Sequence, residues 1–179
     1  MSGILSLIPH PGTPVAGTLG IDVACTLPRD GGLILTYRLR APAGQVLIPP
    51  AGTPGRADGL WRHTCFESFV ASKGQTAYRE FNFSPAGSWQ AYAFHAYRRG
   101  GPLEPAAGPE LDCSEEEGGF TLRAYLPAAD LPTGPPWRLG LSAVLESADG
   151  SLSYWALGHA PERPDFHHPD TFTLEIPPP

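Results

Sequence analysis

The chain has 179 residues, 41% of them apolar, with 21 glycines, 22 prolines and a formal net charge of −6. That length suits one domain with one sizeable core. Twelve Lys plus Arg against eighteen Asp plus Glu, with no basic run of five, exclude a phosphate-backbone partner and argue against an anionic membrane surface.

From Leu19 to Leu27 the apolar residues fall at every second position, which places them on one face of a strand. Residues 28–32 read as a turn, and 33–40 repeat the alternation with Leu33, Leu35, Tyr37 and Leu39 on one side, so the two runs predict a hairpin. Residues 41–59, rich in Pro, Gly and Ala around a short island at 46–48, predict a long surface connection of the kind that often carries function. Further strands are predicted over 65–71, 78–84, 89–97, 120–126, 138–146, 152–157 and 171–176. Turn signals stand at 84–88, 114–119 and 147–150, a helical turn is expected near 127–130, and 102–110 reads as a loop. Nine short strands with almost no helical periodicity predict an all-β fold, an antiparallel two-sheet β-sandwich of jelly-roll or immunoglobulin-like kind, as a single domain over 1–179.

Cys25, Cys65 and Cys113 are odd in number and widely spaced, so neither a disulfide framework nor a zinc motif is indicated and a reducing compartment fits. Residues 1–9 lack the charged region and apolar length of a signal peptide or membrane span, and the expected location is cytoplasmic.

The chemistry concentrates between Trp61 and Tyr97. Period two puts Cys65, Glu67 and Phe69 on one face of their strand, and Tyr78, Glu80, Asn82 and Ser84 on one face of the next. Phe81 and Phe83 then point into the core. Two carboxylates and an amide beside Trp61 are what a polyhydroxylated ring requires: a flat apolar face for its C–H groups, with acceptors and donors for its hydroxyls. The plainer reading makes Glu67 and Glu80 solvated strand residues and Trp61 a satellite of the core. Glu67 and Glu80 on neighbouring strands also keep open a carboxylate pair for glycoside hydrolysis. Cys65 near His63 reads as core packing, because residues two apart on a strand share a face without becoming reactive.

A second cluster runs from Trp155 to Asp170, with His159, His167 and His168 among Glu162, Asp165 and Asp170. Its spacing matches no zinc or calcium pattern, so a loop with backbone-bonded histidines, a metal site and a ligand contact all stay open. No nucleophile elbow, phosphate loop or dinucleotide fingerprint occurs.

Trp61-Arg-His-Thr-Cys-Phe-Glu-Ser-Phe69, Tyr78-Arg-Glu-Phe-Asn-Phe-Ser-Pro85, Ser153-Tyr-Trp-Ala-Leu157 and Pro164-Asp-Phe-His167 resemble the bacterial DOMON-like domains related to family 9 carbohydrate-binding modules. The resemblance spans nearly the whole chain and implies a β-sandwich that binds a ligand without transforming it, a sugar or haem. It implies a sugar site in which Trp61 is followed six residues later by Glu67. An arginine and asparagine two apart in those modules correspond here to Glu80 and Asn82, so a carboxylate replaces the arginine. Where the modules close the site with a second tryptophan, this chain has only Phe166 or His167. The implied site is therefore Trp61, Glu67, Glu80 and Asn82, with Tyr92, Tyr97 and His167 nearby. The haem branch uses methionine with histidine or lysine; Met1 and Lys73 are the only such residues, so haem would fall to two histidines. No cofactor is expected, and the expected partner is a sugar or glycan. The alternatives are an interaction module with a degenerate pocket and a haem- or metal-binding domain.

Overall fold

Period-two alternation becomes extended chain almost everywhere it occurs. The computed structural model describes residues 3–13, 15, 17–134 and 136–177; Met1 and Ser2 of the amino-terminal stretch lie outside them. The described strands are β1 (Leu5–Pro9), β2 (Gly20–Thr26), β3 (Leu33–Arg40), β4 (Gly55–Arg56), β5 (Cys65–Ser72), β6 (Tyr78–Phe83) and β7 (Ser88–Ala96). They continue with β8 (Arg99–Pro102), β9 (Glu110–Glu116), β10 (Gly119–Leu126), β11 (Trp137–Glu146), β12 (Leu152–Ala156) and β13 (Leu174–Ile176). Three 3₁₀ turns, Leu60–Arg62, Ala128–Asp130 and Pro169–Thr171, are the helical elements among the described residues.

The strands follow one hydrogen-bonded path, β4-β7-β6-β5-β11-β12-β1-β2-β3-β10-β9, with β13 beside β11 and β8 beside β7. Every pairing is antiparallel except the short β4·β7 contact. β1 joins the two halves: Leu5, Ser6 and Leu7 lie opposite Val23, Asp22 and Ile21 of β2, while Ile8 and Pro9 lie opposite Ala156 and Trp155 of β12. The expected pair of separate sheets is thus one curled sheet, because this single short strand carries the ladder from one half to the other.

The halves close over a shared core. Ile21, Val23, Leu35, Tyr37 and Leu122 from one half meet Phe66, Phe81, Phe83, Leu139 and Leu141 from the other. The Phe66 ring lies 5.1 Å from Tyr37 and stacks at 6.3 Å on Phe120. Each such side chain contributes roughly 1.5–3 kcal/mol by leaving water. The Tyr37 hydroxyl crosses the core and donates to the backbone carbonyl of Glu67 at 2.8 Å, satisfying its one polar atom.

The β2–β3 hairpin and the helical turn at 127–130 lie where alternation and turn chemistry predict them. Three expectations change. Residues 114–116 extend β9 instead of forming a turn, because their backbone pairs with β10 as far as Glu116 opposite Gly119. The strand predicted over 171–176 is a 3₁₀ turn followed by only three paired residues, since Pro169 starts a turn that Thr171 closes through its hydroxyl bond to the carbonyl of Phe166. The 41–59 connection pairs with the rest of the molecule through β4 and through a bridge between Val46 and Ser147.

Candidate functional site

β5, β6, β7 and β11 turn one face to the core and the other to a second, smaller apolar cluster built on Phe69, Ala71, Tyr78, Val144, Ala156, Phe166 and Phe172. Phe81 and Phe83 are fully buried on the core side. The opposite face carries Glu67, Phe69, Tyr78, Glu80, Asn82, Tyr92 and Phe94, and cross-strand register sets them in rows. Ser142, Glu67, Asn82 and Gln90 form one row across β11, β5, β6 and β7; Gly140, Phe69, Glu80 and Tyr92 form the next.

Over this face opens a cleft of about 360 Å³. Glu67, Phe69, Glu80 and Val144 line it from the sheet, and Trp61 with Tyr92 and Phe94 supplies aromatic wall. Residues 164–167 close it with Pro164, Asp165, Phe166 and His167. Trp61 is presented by the turn Leu60–Arg62, which begins after Gly59 in the left-handed region (φ 73°), a conformation favoured by a residue without Cβ. Its indole stays 42% exposed and meets the Tyr92 ring edge-on at 6.2 Å. The 164–167 segment is tied down by Asp165, which accepts from the Tyr97 hydroxyl at 2.5 Å, from Arg98 Nη2 at 2.8 Å and from the backbone N–H of His167 at 3.1 Å. Burial works against the Asp165 anion, but the Tyr97 and Arg98 bonds outweigh it and hold its pKa below the ordinary value.

The polar floor is buried. Glu67 is 3% exposed, Glu80 6%, and Asn82 fully enclosed. Asn82 Nδ2 donates to Glu80 Oε1 at 2.9 Å, and His167 Nε2 stands 3.6 Å from Glu80 Oε2. His167 Nδ1 meets the Tyr78 hydroxyl at 2.9 Å, and that hydroxyl accepts from the backbone N–H of Arg98 at 3.1 Å. The hydroxyl hydrogen can therefore point at Nδ1, which leaves Nε2–H facing Glu80. Glu67 Oε1, Asn82 Oδ1 and Ser142 Oγ, neighbours in one row, are buried without a hydrogen-bond partner.

Burial dominates the electrostatics. It pushes the Glu67 carboxyl well above the ordinary range, and the neighbouring Glu80 charge adds to the effect. Burial likewise lifts Glu80 to about 7, against the lowering pull of Asn82 and Arg98. The imidazole of His167 is driven the other way, down to about 4, by burial and by the Arg98 charge. Burial, then the nearby Asp58 charge, pushes the Tyr92 hydroxyl up to about 12, so it remains a donor.

Of the residues singled out in the sequence, Trp61, Glu67, Glu80, Tyr92 and His167 line the cleft. Asn82 lies beneath it, bonded to Glu80, and Tyr97 stands outside it, half-exposed and bonded to Asp165. Glu67 and Glu80 are not solvated strand residues, since the 164–167 segment and Trp61 cover their face. The histidines of the second cluster do not converge: His159 Nε2 bonds the carbonyl of Ile8, His167 bonds Tyr78, and His168 Nδ1 accepts from the N–H of Asp170. Among the described residues no group of three or more His, Cys, Asp or Glu stands together as a metal site.

Asp165, of the second cluster, also lines the cleft, as do Arg98, Phe94 and Tyr154, which were not foreseen there. Phe94 follows from Tyr92 by period two. Arg98 gives no such signal: it sits at positive φ (54°), just past a register shift between Phe94 and Ala96.

No family model matches the chain, and no curated protein matches it either. Solved structures do. The chain is similar in fold to a putative carbohydrate-binding protein from Bacteroides uniformis, with a TM-score of 0.64 at 16% identity over 96% of this chain and 84% of that one. It is also similar to a family 9 carbohydrate-binding module from Caldicellulosiruptor kristjanssonii. In complex with cellotriose that module gives a TM-score of 0.60 at 7% identity, covering 94% of this chain and 76% of that one. In complex with glucose it gives 0.61 at 6% identity, covering 94% and 78%.

Proposed function

We propose that this chain is a non-catalytic carbohydrate-binding domain, of the DOMON-like kind related to family 9 modules, and that the cleft over β5 and β6 is its site. The observation that carries the reading is the union of an aromatic wall, Trp61 and Tyr92, with a buried polar floor, Glu67 and Glu80, in one open cleft of about 360 Å³. A sugar ring offers apolar C–H faces and a rim of hydroxyls, and this lining answers both. The fold shared with sugar-bound modules adds support, as does the Trp61 and Glu67 spacing. Phe166 and His167 line the cleft and, on this reading, take the part of the second tryptophan that the resemblance implies. The neighbours in fold are carbohydrate-binding proteins and modules, which supports binding over hydrolysis.

Calorimetric titration with glucose, cello-oligosaccharides and a panel of other mono- and oligosaccharides tests it. Saturable heat that disappears in Trp61→Ala is expected. Silence with every sugar, or unchanged binding in that variant, overturns the assignment.

A further inference from the structure

The buried floor of the cleft leaves Glu67 Oε1, Asn82 Oδ1 and Ser142 Oγ unpaired. Glu67 is 3% exposed, lines the cleft, and leaves Oε1 with no partner. Among the described residues no ion pair includes Glu67. The arginine that lines the cleft is already engaged: the Arg98 guanidinium is bonded to Asp165 at 2.8 Å. His167 presents a neutral ring to Glu80. Two carboxyls therefore share one enclosed surface; with no cation beside Glu67, burial favours their protonated forms, and a cation seated there would let them ionise.

The hydrogen-bond inventory points the same way. Glu67 pairs with Asn82 across β5 and β6 and with Ser142 across β5 and β11, and Glu67 Oε1, Asn82 Oδ1 and Ser142 Oγ all lack a partner, while Glu80, paired with the neighbouring Phe69, lies close enough for its charge to raise the Glu67 pKa. A sugar hydroxyl brings one hydrogen and an oxygen that would face acceptors. An ammonium brings three donors, no acceptor, and a positive charge against which the two carboxyls can release their protons to solvent. The Trp61 and Tyr92 rings line the same cleft, and aromatic rings also attract a cation.

We propose that the cleft takes an amino sugar with a free ammonium group, such as glucosamine or its β-linked oligomers, the ammonium seated against Glu67 and Glu80. The proposal rests on the carbohydrate reading above and narrows its substrate class. Glucose and glucosamine differ by one group of similar size, so their comparison isolates the charge.

Calorimetric titration of the whole chain at pH 7 with glucosamine and with glucose gives the test. Glucosamine is expected to bind on the order of tenfold tighter, the gain of a charge-assisted pair over a neutral one. Raised salt reduces that ratio, and it falls to about one in Glu67→Gln and in Glu80→Gln, two shape-preserving variants whose melting curves report folding independently. Equal or weaker binding of glucosamine, or a ratio that survives both substitutions, overturns the amino-sugar proposal and leaves the carbohydrate reading standing. Failure of glucose, glucosamine and every other sugar to bind overturns both.

Discussion

His167 Nε2 faces Glu80 Oε2 at 3.6 Å, while its other ring nitrogen is held by the Tyr78 hydroxyl. Burial moves the two groups in opposite senses, Glu80 up to about 7 and His167 down to about 4. A proton added to this pair near neutral pH therefore goes to the carboxyl.

Stability should fall as pH rises from 6.5 to 8. The folded Glu67 and Glu80 hold protons at pH values where their unfolded counterparts, near 4.5, have lost them, so rising pH favours unfolding through that window. His167 opposes this only below its unfolded value of 6.5, where keeping the ring neutral costs more as pH falls towards 4. Urea midpoints at pH 6.5 and 8 read the slope. Glu67→Gln should flatten it and raise stability at pH 8. A midpoint that stays level or climbs over this range contradicts the buried-carboxyl account.

Asn82 supports Glu80 from below. Its amide donates to Oε1 and is the strongest influence lowering the Glu80 pKa. Asn82→Ala should shift the Glu80 titration upward, seen in the carboxyl NMR signal, and cost about 1–3 kcal/mol on denaturation, since a buried bond is lost. An unmoved Glu80 titration would show that the amide bond does not reach the carboxyl in solution.

Much of this arrangement is written in alternation. Phe81 and Phe83 are core residues and Glu80 and Asn82 share the other face because side chains in a strand must alternate, so that division could be read before any coordinates. β1 escaped because five residues ending in proline carry too little pattern, yet this strand turns two expected sheets into one. β9 escaped because its outward positions are acidic, and its pairing depends on β10 rather than on its own composition. The burial of Glu67 and Glu80 escaped for a different reason: much of what covers them comes from residues 164–167, far from both in sequence. Local periodicity assigns a face, and only tertiary contact decides whether that face is wet.

Trp61 should separate binding from folding. Nearly half its surface is exposed, it lies outside the main core, and its ring contact is with Tyr92. Trp61→Ala is expected to change unfolding stability by less than about 1 kcal/mol, in keeping with partly exposed positions, while removing most of the calorimetric sugar signal. A large loss of stability with binding intact would make Trp61 a structural residue.

Asp165 tests whether the cleft's charge pattern is held in place. Its carboxylate occupies Arg98, fixes Tyr97 and accepts from the N–H of His167, so Asp165→Ala releases the 164–167 segment and the guanidinium together. A freed Arg98, already close enough to lower the Glu80 pKa, can turn to the floor carboxylates and compete with an ammonium there. The glucosamine-to-glucose affinity ratio should therefore drop in Asp165→Ala and recover at least in part when Arg98→Ala is added. A ratio unchanged by the first substitution would mean that Arg98 does not reach Glu67 and Glu80 even when released. A ratio that drops but is not restored by the second would place the effect in the loosened segment instead of in the cation.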